Sequence, residues 1–120
     1  MDDGRPIFLQ IAEQIENSVI DGSLPEDAQV PSTNELAAFH RINPATAAKG
    51  VNQLVDDGIL YKKRGIGMFV SPGAQAKLRQ RRRDQFAVQY LQPLLAEAAK
   101  LGIPTAELKA MIERYEEGAR

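Results

Sequence analysis

Residues 31–70 read PSTNELAAFHRINPATAAKGVNQLVDDGILYKKRGIGMFV, and the order of signals in this stretch decides the fold. Ser32-Thr33-Asn34-Glu35 matches a capping box, in which a serine hydroxyl and a glutamate carboxylate satisfy orphan helix amides reciprocally. A short helix follows, with Leu36, Ala37 and Phe39 expected inward, and it breaks around His40-Arg41-Ile42. Asn43-Pro44 restarts the helix, because asparagine caps well and a proline at the first helical position gives up no hydrogen bond. The new helix should run to about Asp57, with Gly58 ending it. On a helical wheel Ala47, Val51, Leu54 and Val55 fall together, and Ala45, Thr46, Lys49, Asn52 and Gln53 fall opposite. Two helices joined by a short turn, the second with an outward polar face, form the helix-turn-helix pattern.

Ile59-Leu60-Tyr61 and Met68-Phe69-Val70 then read as paired short strands. Between them Lys62-Lys63-Arg64-Gly65-Ile66-Gly67 forms a glycine-bearing tip with three adjacent cations. Upstream, Phe8, Ile11, Ile15 and Val19 recur at helical spacing, and Gly22 is a fitting terminator. The connection SLPEDAQVP is rich in turn residues. Downstream of Pro72-Gly73 the chain reads as helical, and Pro93 must kink or interrupt a helix of roughly residues 75–101. Gly102 ends that helix and Pro104-Thr105 begins another. The expected organisation is a winged helix-turn-helix domain at 1–73 and a helical tail at 74–120, mainly α with one small β-hairpin.

Composition narrows the classes. The chain has 120 residues, 15 Lys and Arg against 16 Asp and Glu, one histidine and no cysteine. Without cysteine there are no disulfides or thiolate metal sites, and lone His40 argues against an imidazole site. No glycine-rich phosphate loop or nucleophile–base pair is present, and Asp56-Asp57 diverge as neighbours at a helix end. The reading is therefore of a chain with no catalytic role, metal or cofactor. The start MDDGRPIFLQ lacks the pattern of a signal peptide and no run of about 18 apolar residues occurs, so a cytoplasmic protein without a membrane span is expected.

A net charge of −1 is low for a binder of nucleic acid, yet the charge is unevenly spread. Lys62, Lys63 and Arg64 adjoin one another, and Lys77, Arg79, Arg81, Arg82 and Arg83 form a second cluster. Folding gives no reason to gather three cations on a hairpin tip, whereas phosphates along a groove wall would be neutralised by them. Thr46, Lys49, Asn52 and Gln53 can reach base edges or phosphates from a helix in the major groove. Arg41, in the turn, is long enough to reach a phosphate. The tail adds a second expectation. Leu91, Leu94, Leu95 and Leu101, with Leu108, Met111, Ile112 and Tyr115, form stripes too large to leave in water on about 45 residues. Packing on a second copy would cover them, as would folding the tail back on its own winged helix, and a symmetric dimer suits a palindromic site in double-stranded DNA. An adaptor that uses the same scaffold for protein contacts is the competing reading, to which Asn34 and the acidic balance lend some weight.

The runs Pro31-Ser32-Thr33-Asn34-Glu35-Leu36-Ala37, Asn43-Pro44-Ala45-Thr46, Leu54-Val55-Asp56-Asp57-Gly58-Ile59-Leu60 and Arg64-Gly65-Ile66-Gly67-Met68-Phe69-Val70 together resemble the GntR family of bacterial regulators. Pro6-Ile7-Phe8-Leu9-Gln10-Ile11, the Asn-Pro-x-Thr helix start and the short tail resemble its YtrA subfamily. The resemblance implies a winged helix that binds operator DNA as a homodimer, usually as a repressor, without a large effector domain; no motif points to a small effector. It also implies DNA contacts at Ser32, Asn34, Asn43, Ala45, Thr46, Lys49 and the wing from Arg64 through Gly65 to Gly67, to which the cation run adds Lys63. The chain departs from the family pattern at several of these places. Asn34 stands where an arginine is usual, Ala45 and Ala48 replace bulkier or polar residues, and Met68 stands where threonine is common. Arg41 and Asp27 occupy places often held by glycine.

Overall fold

The computed structural model describes residues 4–119, and the elements follow the local punctuation closely. Helix α1 spans Ile7–Ile20 and buries Ile11, Ala12, Ile15 and Val19. It stops where Gly22 turns left-handed, at φ 88°. Helix α2 spans Thr33–His40 behind a complete capping box: Glu35 N–H donates to Ser32 Oγ at 3.1 Å and Ser32 N–H donates to Glu35 Oε1 at 3.0 Å. The Ser32 N–H favours the charged carboxylate and holds the Glu35 pKa below its ordinary value, with the Ser32 hydroxyl as the lesser cause. Helix α3 spans Pro44–Asp56, capped by Asn43, whose Oδ1 accepts the Ala45 N–H at 2.8 Å. Gly58, at φ 77°, ends the α3 turn.

Strands β1 (Leu60–Lys63) and β2 (Gly67–Val70) pair antiparallel, with Leu60 opposite Val70, Tyr61 opposite Phe69, Lys62 opposite Met68 and Lys63 opposite Gly67. Leu60 and Val70 join Ile11, Ile15, Val19, Val30, Leu36, Ala47, Val51, Leu54 and Ile59 in one core. Gly50 lets α3 lie against the α1 backbone, since a Cβ there would stand 2.6 Å from the Phe8 carbonyl oxygen.

Three expectations need correction. Phe39 is 82% exposed rather than inward. Leu36 and Ala37 define the buried stripe of this eight-residue helix, and at 100° per residue Phe39 lies about 110° from its centre. The hairpin tip is shorter than its cation run suggests: Lys62, Lys63 and Gly67 belong to the strands, and only Arg64-Gly65-Ile66 form the turn. Lastly, the turn-rich connection before α2 does more than connect. Asp27 N–H donates to Val70 O, Val70 N–H to Ala28 O and Val30 N–H to Met68 O, while Gln29 forms a β-bridge with Phe69. The hairpin is thus flanked along β2 by a third extended segment.

The chain divides into two compact units, the first running to Arg81 and the second beginning at Arg82. Helix α4 (Ala74–Phe86) seals the first with Ala74 and Leu78, both buried in its core. A single π turn, Ala87–Leu91, then leads into α5 (Gln92–Lys100). Its wider winding, with Gln92 N–H reaching Ala87 O, lies just before Pro93, whose ring blocks the ordinary bond and crowds the carbonyl four residues back. Gly102, at φ 69°, ends α5, and α6 (Thr105–Gly118) follows Pro104. In the second unit only Ala98 and Leu108 are buried among the described residues. No helix among the described residues is long and apolar enough to cross a membrane.

Candidate nucleic-acid interface

The residues expected at DNA fall on two elements of the first unit. On α3, Asn43, Ala45, Lys49, Asn52 and Gln53 are exposed and Thr46 is half-buried. Their positions follow from the burial of Ala47, Gly50, Val51 and Leu54 on the opposite side. The asparagine cap is occupied with the helix start, and so is the Ser32 oxygen at the start of α2. Lys49 does not wave freely: its Nζ stands 4.1 Å from the centroid of the Phe8 ring on α1. Gln53 Nε2 donates to Asp57 Oδ1 at 3.3 Å, and Gln53 lines a groove that also holds Glu13, Glu16 and Asp57. Two of those carboxylates are already paired with arginines of the same groove, Glu13 with Arg5 and Glu16 with Arg81.

Asn34 is exposed on α2, and Arg41, also exposed, closes that helix with φ 56°. Only Arg41 and Asp27 carry positive φ among the described non-glycine residues. These are the two places where the family resemblance leads one to expect glycine, and left-handed backbone is the physical reason for that preference.

In the wing, strand alternation separates the cations. Lys62 shares a face with the core residues Leu60 and Val70, whereas Lys63 shares the outer face with Tyr61. Tyr61 and Phe69 stack there with centroids 5.7 Å apart, and Lys63 Nζ lies 4.6 Å from the Phe69 centroid. Tyr61 Oη–H donates to Asp27 Oδ1 at 2.7 Å, a bond that raises the phenol pKa. Gln29 Nε2 donates to the Ile66 carbonyl at 3.2 Å, holding the tip from behind. Arg64, Gly65 and Ile66 are exposed, and Gly65 takes φ 75°. Gly67 takes φ 150°, which an L side chain rarely adopts, and a Cβ there would also have to displace the Gln29 amide, 2.6 Å away.

The α4 cations have other duties. Lys77 Nζ donates to the Asp57 carbonyl at the end of α3, and Arg79 donates to the Ile20 carbonyl at the end of α1, at 3.1 Å. Gln75 Nε2 reaches the same Ile20 oxygen at 3.1 Å. Arg81 pairs with Glu16 at 3.3 Å. Cations at helix C-termini meet the negative end of the helix dipole, so much of this basic cluster holds the first unit together.

Sequence reasoning missed Phe8, Asp27, Gln29, Tyr61 and Phe69 as partners of the interface. No local signal marks them, because Asp27 sits in a turn with left-handed backbone and Gln29 makes a single isolated bridge.

On the second unit Leu91, Leu94, Leu95, Leu101, Ile112 and Tyr115 are exposed and Met111 is half-buried. Leu108 differs, since it is only 8% exposed in a single copy. The described residues contain no cluster of three or more His, Asp or Glu fit to hold a metal ion.

Comparison with known proteins places this geometry. The sequence model of the bacterial regulatory proteins, gntR family, matches residues 8–70, which span α1 through β2. The HTH-type transcriptional repressor YtrA of Bacillus subtilis is 29% identical over 108 residues, 90% of this chain and 82% of that protein. A GntR-family regulator structure from Bacteroides thetaiotaomicron superposes with a TM-score of 0.76 at 29% identity, covering 95% of this chain and 99% of its own. The DNA-binding domain of AraR, solved in complex with operator ORR3, is 31% identical with a TM-score of 0.52, covering 53% of this chain and 77% of its own.

Proposed function

The chain belongs to the gntR family of bacterial regulatory proteins, DNA-binding regulators of transcription, and on that premise we propose that it is a cytoplasmic repressor of the YtrA kind that binds a palindromic operator as a homodimer. The observation that carries the reading is the exposed start of α3, with Asn43, Ala45, Thr46 and Lys49 on one unit with the braced wing of Lys63 and Arg64. In this arrangement α3 lies in the major groove, Thr46 and Lys49 face bases or phosphates, and the wing grips the adjoining backbone. Ser32, Asn34, Arg41 and Asn43 flank that surface, with Ala45 at its outermost point, while Gly65 and Gly67 let the wing backbone approach. Gln53, whose amide engages Asp57 in the free protein, adds a contact further along α3. The exposed stripe of Leu91, Leu94, Leu95, Leu101 and Ile112 supports dimerisation through the second unit. The regulator then acts by occupying DNA, with no reaction of its own.

Selection of bound duplexes from a random pool, followed by sedimentation at micromolar concentration, tests both halves. An inverted repeat with half-sites about one helical turn apart, bound by a dimer, is the expected result. Absence of salt-sensitive binding at low ionic strength would turn the reading toward a protein-contact adaptor. A monomer throughout would remove the dimer.

A further inference from the structure

The two lysines that this functional reading sends to DNA share an unusual arrangement. Each is an exposed cation on a long stem, and each ammonium stands on an aromatic ring supplied by another element: Lys49 on Phe8 of α1 at 4.1 Å, Lys63 of β1 on Phe69 of β2 at 4.6 Å. We propose that Phe8 and Phe69 are positioning residues for DNA binding, rings that hold the two ammonium groups in place before the phosphates arrive.

Both rings are half-buried, so their faces are fixed by packing while their outer sides remain open. Phe8 is anchored by the close passage of α1 and α3 at Gly50. Phe69 is anchored on both sides, by the stacked Tyr61 ring and by the β-bridge to Gln29. The Asp27 carboxylate in turn fixes Tyr61 through its phenol. Among the described residues no carboxylate lies within ion-pair distance of either lysine. A ring attracts an ammonium through its negative face and offers it no hydrogen-bond acceptor. The ammonium donors directed away from the ring therefore remain available to phosphate oxygens. A carboxylate in the same place would have competed with DNA for those donors. Lysine loses much rotamer freedom on being fixed, and a ring that orders the stem beforehand removes part of that loss from the binding step.

The proposal rests on the DNA-contact role given to Lys49 and Lys63, and the test separates the two ideas. The full-length chain is titrated onto a duplex of random sequence across a salt series, as the native protein, as Phe8→Leu and Phe69→Leu, as Lys49→Ala and Lys63→Ala, and as the two paired doubles. Each leucine variant should bind about two- to fivefold more weakly, the range expected for an exposed cation–ring contact. In the alanine background of its own lysine the same leucine substitution should cost nothing further. Proton NMR without DNA provides an independent measure, because the Lys49 and Lys63 ε-methylene protons over a ring are shifted upfield; Phe8→Leu should return those of Lys49 to ordinary positions, and Phe69→Leu should leave those of Lys63 only the weaker shift from the Tyr61 ring, 5.9 Å from Nζ. If the lysine substitutions weaken binding but the doubles are simply additive, or if those protons are unshifted in the native protein, the positioning role is overturned alone. If neither lysine substitution changes affinity or salt slope, the DNA-contact reading falls and the positioning role falls with it.

Discussion

The two units of this chain solve the problem of burial differently. The first closes a core from five of its helices and strands, sealed by α4, with Ile11, Val51, Leu54, Ile59, Leu60, Val70 and Leu78 almost wholly removed from water. In the second, Leu94 and Leu95 remain 43% and 44% exposed. A unit with that little interior cannot offset its own ordering entropy, whereas the first has the stripes, caps and sheet to do so. The contrast teaches that burial within one copy is concentrated in one stretch of sequence and largely missing from the other. The same kinds of residue, leucines at helical spacing, mean core in one unit and unfinished surface in the other.

The strongest test of that contrast is Leu54→Ala. It empties a site almost closed to solvent, and should cost about 2–5 kcal/mol of unfolding free energy. Denaturation followed at two protein concentrations should show the loss of stability in both. A loss much below that range would mean that the first unit's core repacks easily and is less distinct from the second than it appears in burial. The next effect is on association. Leu94→Ala with Leu95→Ala should weaken the proposed dimer by at least about a hundredfold, because by symmetry each substitution enters twice. Sedimentation equilibrium reads this directly. Unchanged association would break the comparison, since those side chains would then be idle.

How much of this was legible beforehand depends on the range of the signal. Helices α1, α2 and α3 were readable because Gly22, Ser32, Asn43, Pro44 and Gly58 act on their own immediate neighbours. The brace behind the wing was not, since Gln29 and Ile66 are 37 residues apart and a local reading sees only a turn-rich segment. The α4 cations show the same limit, because a run of lysine and arginine gives no local sign that the Asp57 and Ile20 carbonyls lie beneath Lys77 and Arg79. Phe39 shows the limit of composition, because a large apolar side chain on a two-turn helix is core only if its angle agrees. At the interface, the residues of α3 were legible from amphipathicity, but the rings under Lys49 and Lys63 belong to other elements.

A smaller effect probes the helix starts. Ser32→Ala removes the serine half of the capping box and should cost about 1 kcal/mol, measured as a shift in denaturant midpoint. The box also gives a pH signature. Glu35 has a depressed pKa, so its share of stability is fully present above the carboxylate's ordinary pKa and is lost as the pH falls through the depressed value. In Ser32→Ala that acid-side loss should be smaller, which a midpoint series below neutral pH would reveal. By contrast α6 begins at Pro104 with no side-chain cap, so the second unit has no counterpart of this signature.

The smallest effect is a gain, and it tests whether a well-filled unit can hold strained backbone. Both non-glycine residues with positive φ lie in the first unit, whereas the second uses Gly102 for its one left-handed turn among the described residues. Left-handed backbone costs an ordinary side chain roughly 1–2 kcal/mol. Glycine returns about 0.5–1 kcal/mol of that through the freedom it adds to the unfolded chain. Arg41→Gly should therefore stabilise the first unit by about 0.5–1 kcal/mol, while weakening DNA binding if its guanidinium meets a phosphate. Asp27→Gly should show no such gain: aspartate tolerates the left-handed region better, and the substitution removes the acceptor of the Tyr61 phenol. Equilibrium denaturation of the two variants side by side decides the matter. Equal gains would mean that the Asp27 carboxylate contributes nothing to the wing. No gain at Arg41 would mean that the turn has relaxed around it and that the surrounding core carries no strain there.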